Sequence, residues 1–578
     1  MNLVSLLLPE LILIAVAMAL FLLGLSDKAS SRRLGAWVAL TALVVVFAIQ
    51  LFRTGDGVTQ FDTPMGDVAH DAQPHYGTVR LAPFAQYVKL MTAGMGILLT
   101  LLAWPTNRDA TGNYSAHFGH DAGEFYALRL LSIAGVLLVA GANDIMLLFL
   151  GIELASIPTY IMVSLSRPTP IAQEAGVKYF FLGAFAAAIM LFGFSYLYGT
   201  TGSTNLYEIM LKLHRPDGGG GVVDWGSRAV LSPWQSLAVI MLVAGFAFKM
   251  AAVPLHFYVG DVYQGAATPV TAFLAFIPKT SGFVALIKLM FALGGPNWML
   301  PEPLVRPSGT GLLWILAILT MSIGNVLALL QHVNVKRTLA YSSVAHTGYM
   351  LAALAALGAG QYSGGVASDV NATGVQAVLF YLAAYGLMNI GAFGILQLLP
   401  AHDGSGSAET FDDLLGSGRH RVALGLCMSV CCFSLTGIPL TVGFMAKLMI
   451  IKPALAAAVA PVKTGMISVR PAMAWLAAIV MVNAAISAAY YLRIVATMFL
   501  RTEDPHHPGI HPVQAHFARP ALPILLAVIL SVGGTLLFGL VPSATELLGT
   551  RTLNASNLEG NIPSALPAVP AKAVAATR

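Results

Sequence analysis

Residues 145–165 read IMLLFLGIELASIPTYIMVSL, an apolar run with a single acidic residue, Glu153, near its middle. A bilayer core about 30 Å thick is crossed by ~20 apolar residues of helix. Runs of that length recur along the whole chain, at about 3–25, 34–52, 83–104, 125–142, 144–165, 171–198, 233–259, 270–294, 310–331, 338–360, 375–399, 422–452, 471–499 and 521–541. Together they predict an all-α, polytopic membrane protein of about fourteen transmembrane helices. Composition leads to the same place. Of 578 residues, 57% are hydrophobic and 10% charged, with a mean hydropathy of +0.76, whereas a soluble domain carries roughly a quarter charged residues. So few charges cannot cover a water-facing surface, and the solvent is lipid.

Several function classes fall away. The net charge is +5, but the basic residues are scattered among loops and helix ends and form no stripe for nucleic acid. Cys427, Cys431 and Cys432 crowd one apolar segment with no second pair to complete a metal site, and they read as packing residues. The start of the chain, apolar around Glu10 and without a basic leader, reads as a retained first span. Phosphate loops, dinucleotide fingerprints, iron–sulfur spacings and paired haem histidines are all missing from the sequence. Such a chain cannot oxidise a nicotinamide alone, so its energy must come from a partner or an ion gradient. Lys28, Arg32 and Arg33 in the 26–33 loop place that loop in the cytoplasm and both termini outside. Arg167, Lys336, Arg337, Arg419, Arg421, Arg501 and Arg519 agree, while Lys212, Arg215, Arg228, Lys463 and Arg470 count against.

The charges inside the spans carry the chemistry. A carboxylate at Glu153 costs several kcal/mol in hydrocarbon unless it is paired or wetted. The lysines able to pair with it are Lys178 in the sixth span, Lys249 in the seventh, Lys279 in the eighth and Lys447 in the twelfth. Burial disfavours a charged amine and a nearby carboxylate favours it, so such a pair holds or releases a proton as its members approach or separate. Lys178 also stands four residues from Glu174 on one helix face, and spacing leaves the two pairings open. Lys249 lies five residues before Pro254 and His256 two after it, and Lys279 directly follows Pro278. His256 and His346 are relay candidates. Lys336 and Arg337 read as interface anchors, and Lys89, Lys288 and Lys452 as side chains able to snorkel to the headgroups. AVPL at 252–255 is echoed by GIPL at 437–440, five spans later and so oppositely directed, as an inverted repeat with broken helices requires.

Together, LPELILI (8–14), GIELASIPTYIM (151–162), FAFKMAAVPLHFY (246–258), DVYQGAATPVTAFLAFIPKTSGF (261–283), KRTLAYSSVAHTGYM (336–350) and SLTGIPLTVGFMAKLMI (434–450) closely resemble the antiporter-like membrane subunits of respiratory proton-pumping NADH:quinone oxidoreductase, complex I, above all the N type. The resemblance covers about residues 1–541. It implies three N-terminal helices (1–124), a first inverted repeat (125–294), a second (310–499) and a C-terminal helix (500–541), beyond which composition reads as an Ala/Pro-rich tail (542–578). It also implies that Glu153 and Lys249 are a coupled pair, that Lys279 is the central lysine and Lys447 that of the second broken helix, and that Lys178, His256 and His346 line the proton path.

The setting so implied is a bacterial inner membrane, among M-like, L-like and small membrane subunits. No cofactor is expected in this chain; NADH, FMN, iron–sulfur clusters and quinone belong to other subunits. The chain departs from the family around Phe257, Tyr258, Val259, Gly260 and Ala267, where other residues including prolines are customary, which puts the local helix-break geometry in question. The loops at 53–82 and 199–232 are longer than usual. M and L types, a multi-subunit sodium/proton antiporter and a non-catalytic scaffold remain as alternatives.

Overall fold

The computed structural model describes residues 3–26, 29–55, 78–80, 82–105, 107–108, 114–115, 122–213, 231–293, 309–357, 367–401, 406–459, 469–500 and 521–556. Among them, eleven helices are long and apolar enough to cross a membrane. Leu8–Gly24, Val335–Leu357 and the two-piece Val422–Thr436/Val442–Val459 bring the crossing elements to fourteen, in the order expected. The first is short, the second polar and the third interrupted, so mean hydropathy alone undervalues them. A two-residue antiparallel ladder pairs Asn107–Arg108 with Tyr114–Ser115.

Local sequence sets the helix ends. Asp144 caps the fifth span (Ile145–Leu165), accepting from the amides of Met146 and Leu147. Thr169 does the same for the sixth, Pro170–Thr201, and Ser232 with Gln235 forms a capping box on the seventh. Burial separates the spans by role. The eighth (Thr268–Ala292) is wholly interior and the eleventh nearly so, while Phe180, Phe181, Phe185 and Phe192 of the sixth point outward. Apolar residues lie on both sides of this boundary. What marks the interior is its polar residues.

Two spans are broken. The seventh runs Pro233–Met250, opens, and resumes as Val259–Gly265; the twelfth opens between Thr436 and Val442. Proline supplies no amide and crowds the preceding turn, and Pro254 and Pro439 lie in these two gaps. Ala251 (φ 60°) ends the first helix half, and Gly437 (φ 89°) the second. At Gly437 a Cβ would also meet Lys447 Cδ at 2.7 Å, so glycine is favoured both by its left-handed backbone and by the lysine stem beside it. The freed backbone groups find side chains: Thr347 donates to Met250 O at 2.8 Å, Tyr258 to Phe248 O at 2.9 Å, and Val253 N to Thr320 Oγ1 at 3.1 Å.

The break survives the unusual residues around it because aromatic packing holds it. Tyr258 stacks on Phe248 at 4.5 Å and on Tyr179 at 5.2 Å between ring centres.

The Ala/Pro-rich tail from 542 begins with a short helix, Pro542–Ser556. Pro542 sits at the first helical turn, where proline is favoured, and no other proline follows before Pro563. Of the long loops, 56–77 and 214–230 lie outside the described residues, as do Lys28, Arg215, Arg228, Lys463, Arg501 and Arg519 from the charge count; Leu206–Leu213 is helical.

The basic 26–33 loop and an even number of crossings give a direct expectation. A cytoplasm-active reporter fused after residue 30 should be active, as should a periplasm-active reporter at the C-terminus. Periplasmic activity at residue 30 reverses the orientation, and termini on opposite sides overturn the count.

Candidate functional site

Glu153 sits nine residues into the fifth span, and the seventh-span break presents Lys249 to it. Lys249 Nζ lies 2.9 Å from Glu153 Oε1, with the side chains 2% and 14% exposed. The ammonium also donates to Ser156 Oγ and Tyr160 OH, each at 3.0 Å. Ser156 and Tyr160 follow Glu153 by three and seven residues, the spacing of one helix face, so these partners were readable from the sequence though not singled out. Three acceptors around one ammonium satisfy its three donors.

Lys178 goes elsewhere. It pairs with Glu174 at 2.7 Å and with Asp261 at 3.0 Å, its side chain 43% exposed, so the structure takes the local pairing over the one with Glu153. Asp261 also holds Arg337 at 3.0 Å. His256 lies half-buried inside the break, and its Nδ1 has no hydrogen-bond partner among the described residues.

The tenth span, Val335–Leu357, gathers the rest. Lys279 Nζ, buried, donates to Ser343 O and lies 5.3 Å from the centre of the Tyr385 ring. One turn on, His346 bridges two phenols: Nδ1 to Tyr381 OH at 2.5 Å and Nε2 to Tyr491 OH at 2.9 Å. Tyr491 OH continues to Ser342 Oγ. Three residues further, the Tyr349 ring lies 5.1 Å from Lys447 Nζ, which donates to Thr436 O at 2.6 Å in the twelfth-span break. Tyr349 OH accepts from Asn325 at 3.0 Å, and Asn325 in turn binds Tyr490 and Asn483. Lys279, His346 and Lys447 are thus strung along one helix face. Thr347 of that helix caps Met250 O, beside Lys249. Among the described residues neither Lys279 nor Lys447 forms an ion pair, unlike Lys249.

Snorkelling does not describe Lys447. Its helix continues to Val459 through Pro453, and its side chain is 6% exposed and turned toward the break. Lys336 was also misread as an interface anchor. It is fully buried, donating to Ala266 O at 2.6 Å, Gln264 O at 3.3 Å and Glu409 at 3.2 Å. The 259–265 helix ends there, so the ammonium occupies the carbonyl end that attracts cations. Glu409 lies in a loop that sequence reasoning passed over, and it binds Arg167 as well. Burial pushes its carboxyl up, but Lys336 and Arg167 outweigh that and hold it below its ordinary value.

Residues 142–470 match the family described as NADH:quinone oxidoreductase/Mrp antiporter, transmembrane. NADH-quinone oxidoreductase subunit N of Trichlorobacter lovleyi is 33% identical over 539 residues, 93% of this chain and 94% of that one. Among solved structures, a chain of respiratory complex I from Thermus thermophilus aligns over 93% of this chain and 97% of its own, with a TM-score of 0.65 and 28% identity. A chain of the Mrp complex from Dietzia sp. covers 95% of this chain and 97% of its own at a TM-score of 0.70 and 20% identity, and shares the fold.

Proposed function

The chain belongs to the NADH:quinone oxidoreductase/Mrp antiporter transmembrane family, with subunit N relatives along nearly its whole length, and from that premise we propose how its buried charges move protons. It is the proton-translocating membrane subunit of an NADH:quinone oxidoreductase of the bacterial inner membrane, working among other membrane subunits. The electron carriers sit in those partners, and we take this chain to hold no cofactor. Its work is then electrostatic: charge arriving at one buried group changes whether the next keeps its proton.

In our reading Glu153 and Lys249 form the loading switch of a first repeat (125–294), Lys279 is the central carrier, His346 and its tyrosines pass the proton along the tenth span, and Lys447 serves the second repeat (310–499). Lys178, with Asp261 and Arg337, stands at the mouth of the first, and His256 lines the break. The observation that carries this reading is the fully ligated, buried Lys249 beside Glu153, with Lys279, His346 and Lys447, from three spans, meeting successive turns of the tenth. Structural ion pairs alone do not call for such an array, since well-packed apolar residues are as stable.

The test is Glu153→Gln, assayed by NADH-driven proton uptake into inverted membrane vesicles at matched enzyme content. Glutamine keeps the shape and an acceptor oxygen for Lys249 but removes the charge that sets when the amine lets go. Uptake should fall while assembly is retained. Wild-type uptake would sink the pairing, and wild-type uptake from apolar replacements of all the buried charges would make the chain a scaffold.

A further inference from the structure

The first and third spans carry a second buried ion pair, far from the line just described in sequence and on other helices. Glu10 Oε1 lies 2.6 Å from Lys89 Nζ, and the two side chains are 1% and 0% exposed. Neither charged group has another hydrogen-bond partner among the described residues, although the Arg53 guanidinium also acts on Glu10 as a positive charge. On the same three spans both amide atoms of Gln50, Arg53 Nη1 and Thr92 Oγ1 are also buried without hydrogen-bond partners among the described residues. Arg53 donates to Ser5 O at 2.5 Å, so the antiparallel first and second spans bring Gln50, one turn deeper, toward the level of Glu10. Buried polar atoms left without protein partners are the usual lodging of ordered water.

This group connects to the central line through the eighth span. Lys288, nine residues beyond Lys279 and so about 13 Å along the same helix, donates to Ala142 O at 2.7 Å. Lys89 Nζ stands 3.4 Å from where a Cβ on the adjoining Gly141 would be. Two lysines from different spans therefore flank one peptide at the end of the fourth. This end of the eighth span is the far one: its start is tied by Thr268 to Ser407, in the loop carrying Glu409. Lys336 and Glu409 thus occupy one membrane face and Lys288, Lys89 and Glu10 lie toward the other.

We propose that Glu10 and Lys89, fed by Lys288, form a proton-release site that carries protons from Lys279 sideways into the first three spans and out at the face opposite Glu409. Water between Lys279 and Lys288 hands on the proton. At the pair the N–H bond of the Lys89 ammonium breaks as an O–H bond forms on the Glu10 carboxylate, leaving a neutral amine and a neutral acid. Glu10 then gives the proton to water lodged beside it, which passes it to the surface, and Lys89 is recharged from Lys288. The inference rests on the translocation reading above and adds an outlet to it.

Lys89→Arg tests it in the assembled complex. Arginine preserves the ion pair and any structural duty but does not release its proton. In inverted vesicles the protons taken up per NADH oxidised should fall clearly below wild type, with Lys249→Ala, upstream of both routes, measured alongside. A wild-type ratio in Lys89→Arg, with Lys249→Ala lowered, overturns this outlet alone; wild-type ratios in both overturn the translocation reading. Should arginine prevent assembly, the double variant Glu10→Leu/Lys89→Leu decides. Assembly with a lowered ratio supports the outlet, and assembly with a normal ratio, or no assembly, makes the pair structural and overturns it.

Discussion

Lys249→Ala is expected to end proton movement through this chain while the complex still assembles in the membrane. The substitution removes the ammonium held by Glu153, Ser156 and Tyr160, and with it the group whose charge Glu153 controls. A positioned proton-transfer group contributes on the order of 10²–10⁴-fold to its step, and no other described side chain is placed to substitute for it between the fifth and eighth spans. Stability should suffer less. An unpaired buried carboxylate costs about 3–5 kcal/mol if it stays charged, but Glu153 keeps 14% of its surface exposed and can take up a proton instead. The measurement is acidification of inverted vesicles on NADH, with NADH oxidation recorded in parallel. Because the redox centres lie in partner subunits, tight coupling should lower oxidation too, and loose coupling should lower only the ratio of protons to NADH. Near-normal values of both would remove Lys249 from the path.

How much of this was legible in the sequence follows from what each feature depends on. Span number and order depend on length and apolarity, which are local, and all fourteen fell where the runs of residues put them. The Glu153–Lys249 pair was legible as candidates because a charge in hydrocarbon demands a partner. Its choice among four lysines came only through the family resemblance, since in physical terms it turns on how the 251–258 break aims one side chain. Lys178 shows the limit: four-residue spacing to Glu174 was as good an argument as distance to Glu153, and only packing decided. Lys336 and Lys89 were misread for one shared reason. Both lie near helix ends, where a long side chain ordinarily reaches water, yet each is covered by helices distant in sequence and meets an acid there. The tyrosines around His346 carried no signal, because an aromatic residue in a span packs against lipid or protein equally well until its neighbours are known.

The tenth span explains why the two broken helices have to be considered together. Thr347 caps the seventh span beside Lys249, while Tyr349, two residues on, lies against Lys447 of the twelfth. A change in either break therefore acts on the same turn of helix, the one carrying His346. Coupling through a shared rigid element requires that element to have two arrangements. The open backbone at 251–258 and 437–441 is where the flanking spans could supply them.

Lys447→Arg is expected to assemble normally and to move protons far more slowly. Lys447 is buried, eight residues beyond Pro439, with its ammonium 2.6 Å from Thr436 O and facing the Tyr349 ring. Were it only anchoring the break, arginine would serve, because guanidinium also donates to a carbonyl and also lies favourably on an aromatic face. A carrier must let its proton go within the pH range of the cell, and guanidinium holds its proton too tightly for that. The one variant thus separates charge from exchangeability. Packing works in its favour, since the lysine stem passes over Gly437, where the missing Cβ leaves room. Vesicles carrying Lys447→Arg should acidify slowly on NADH, with electron transfer falling to the extent that redox and pumping are coupled. Should they show the wild-type ratio of protons moved to NADH oxidised, Lys447 does not carry protons, and the route through the second repeat must run by way of His346, Tyr381 and Tyr491 instead.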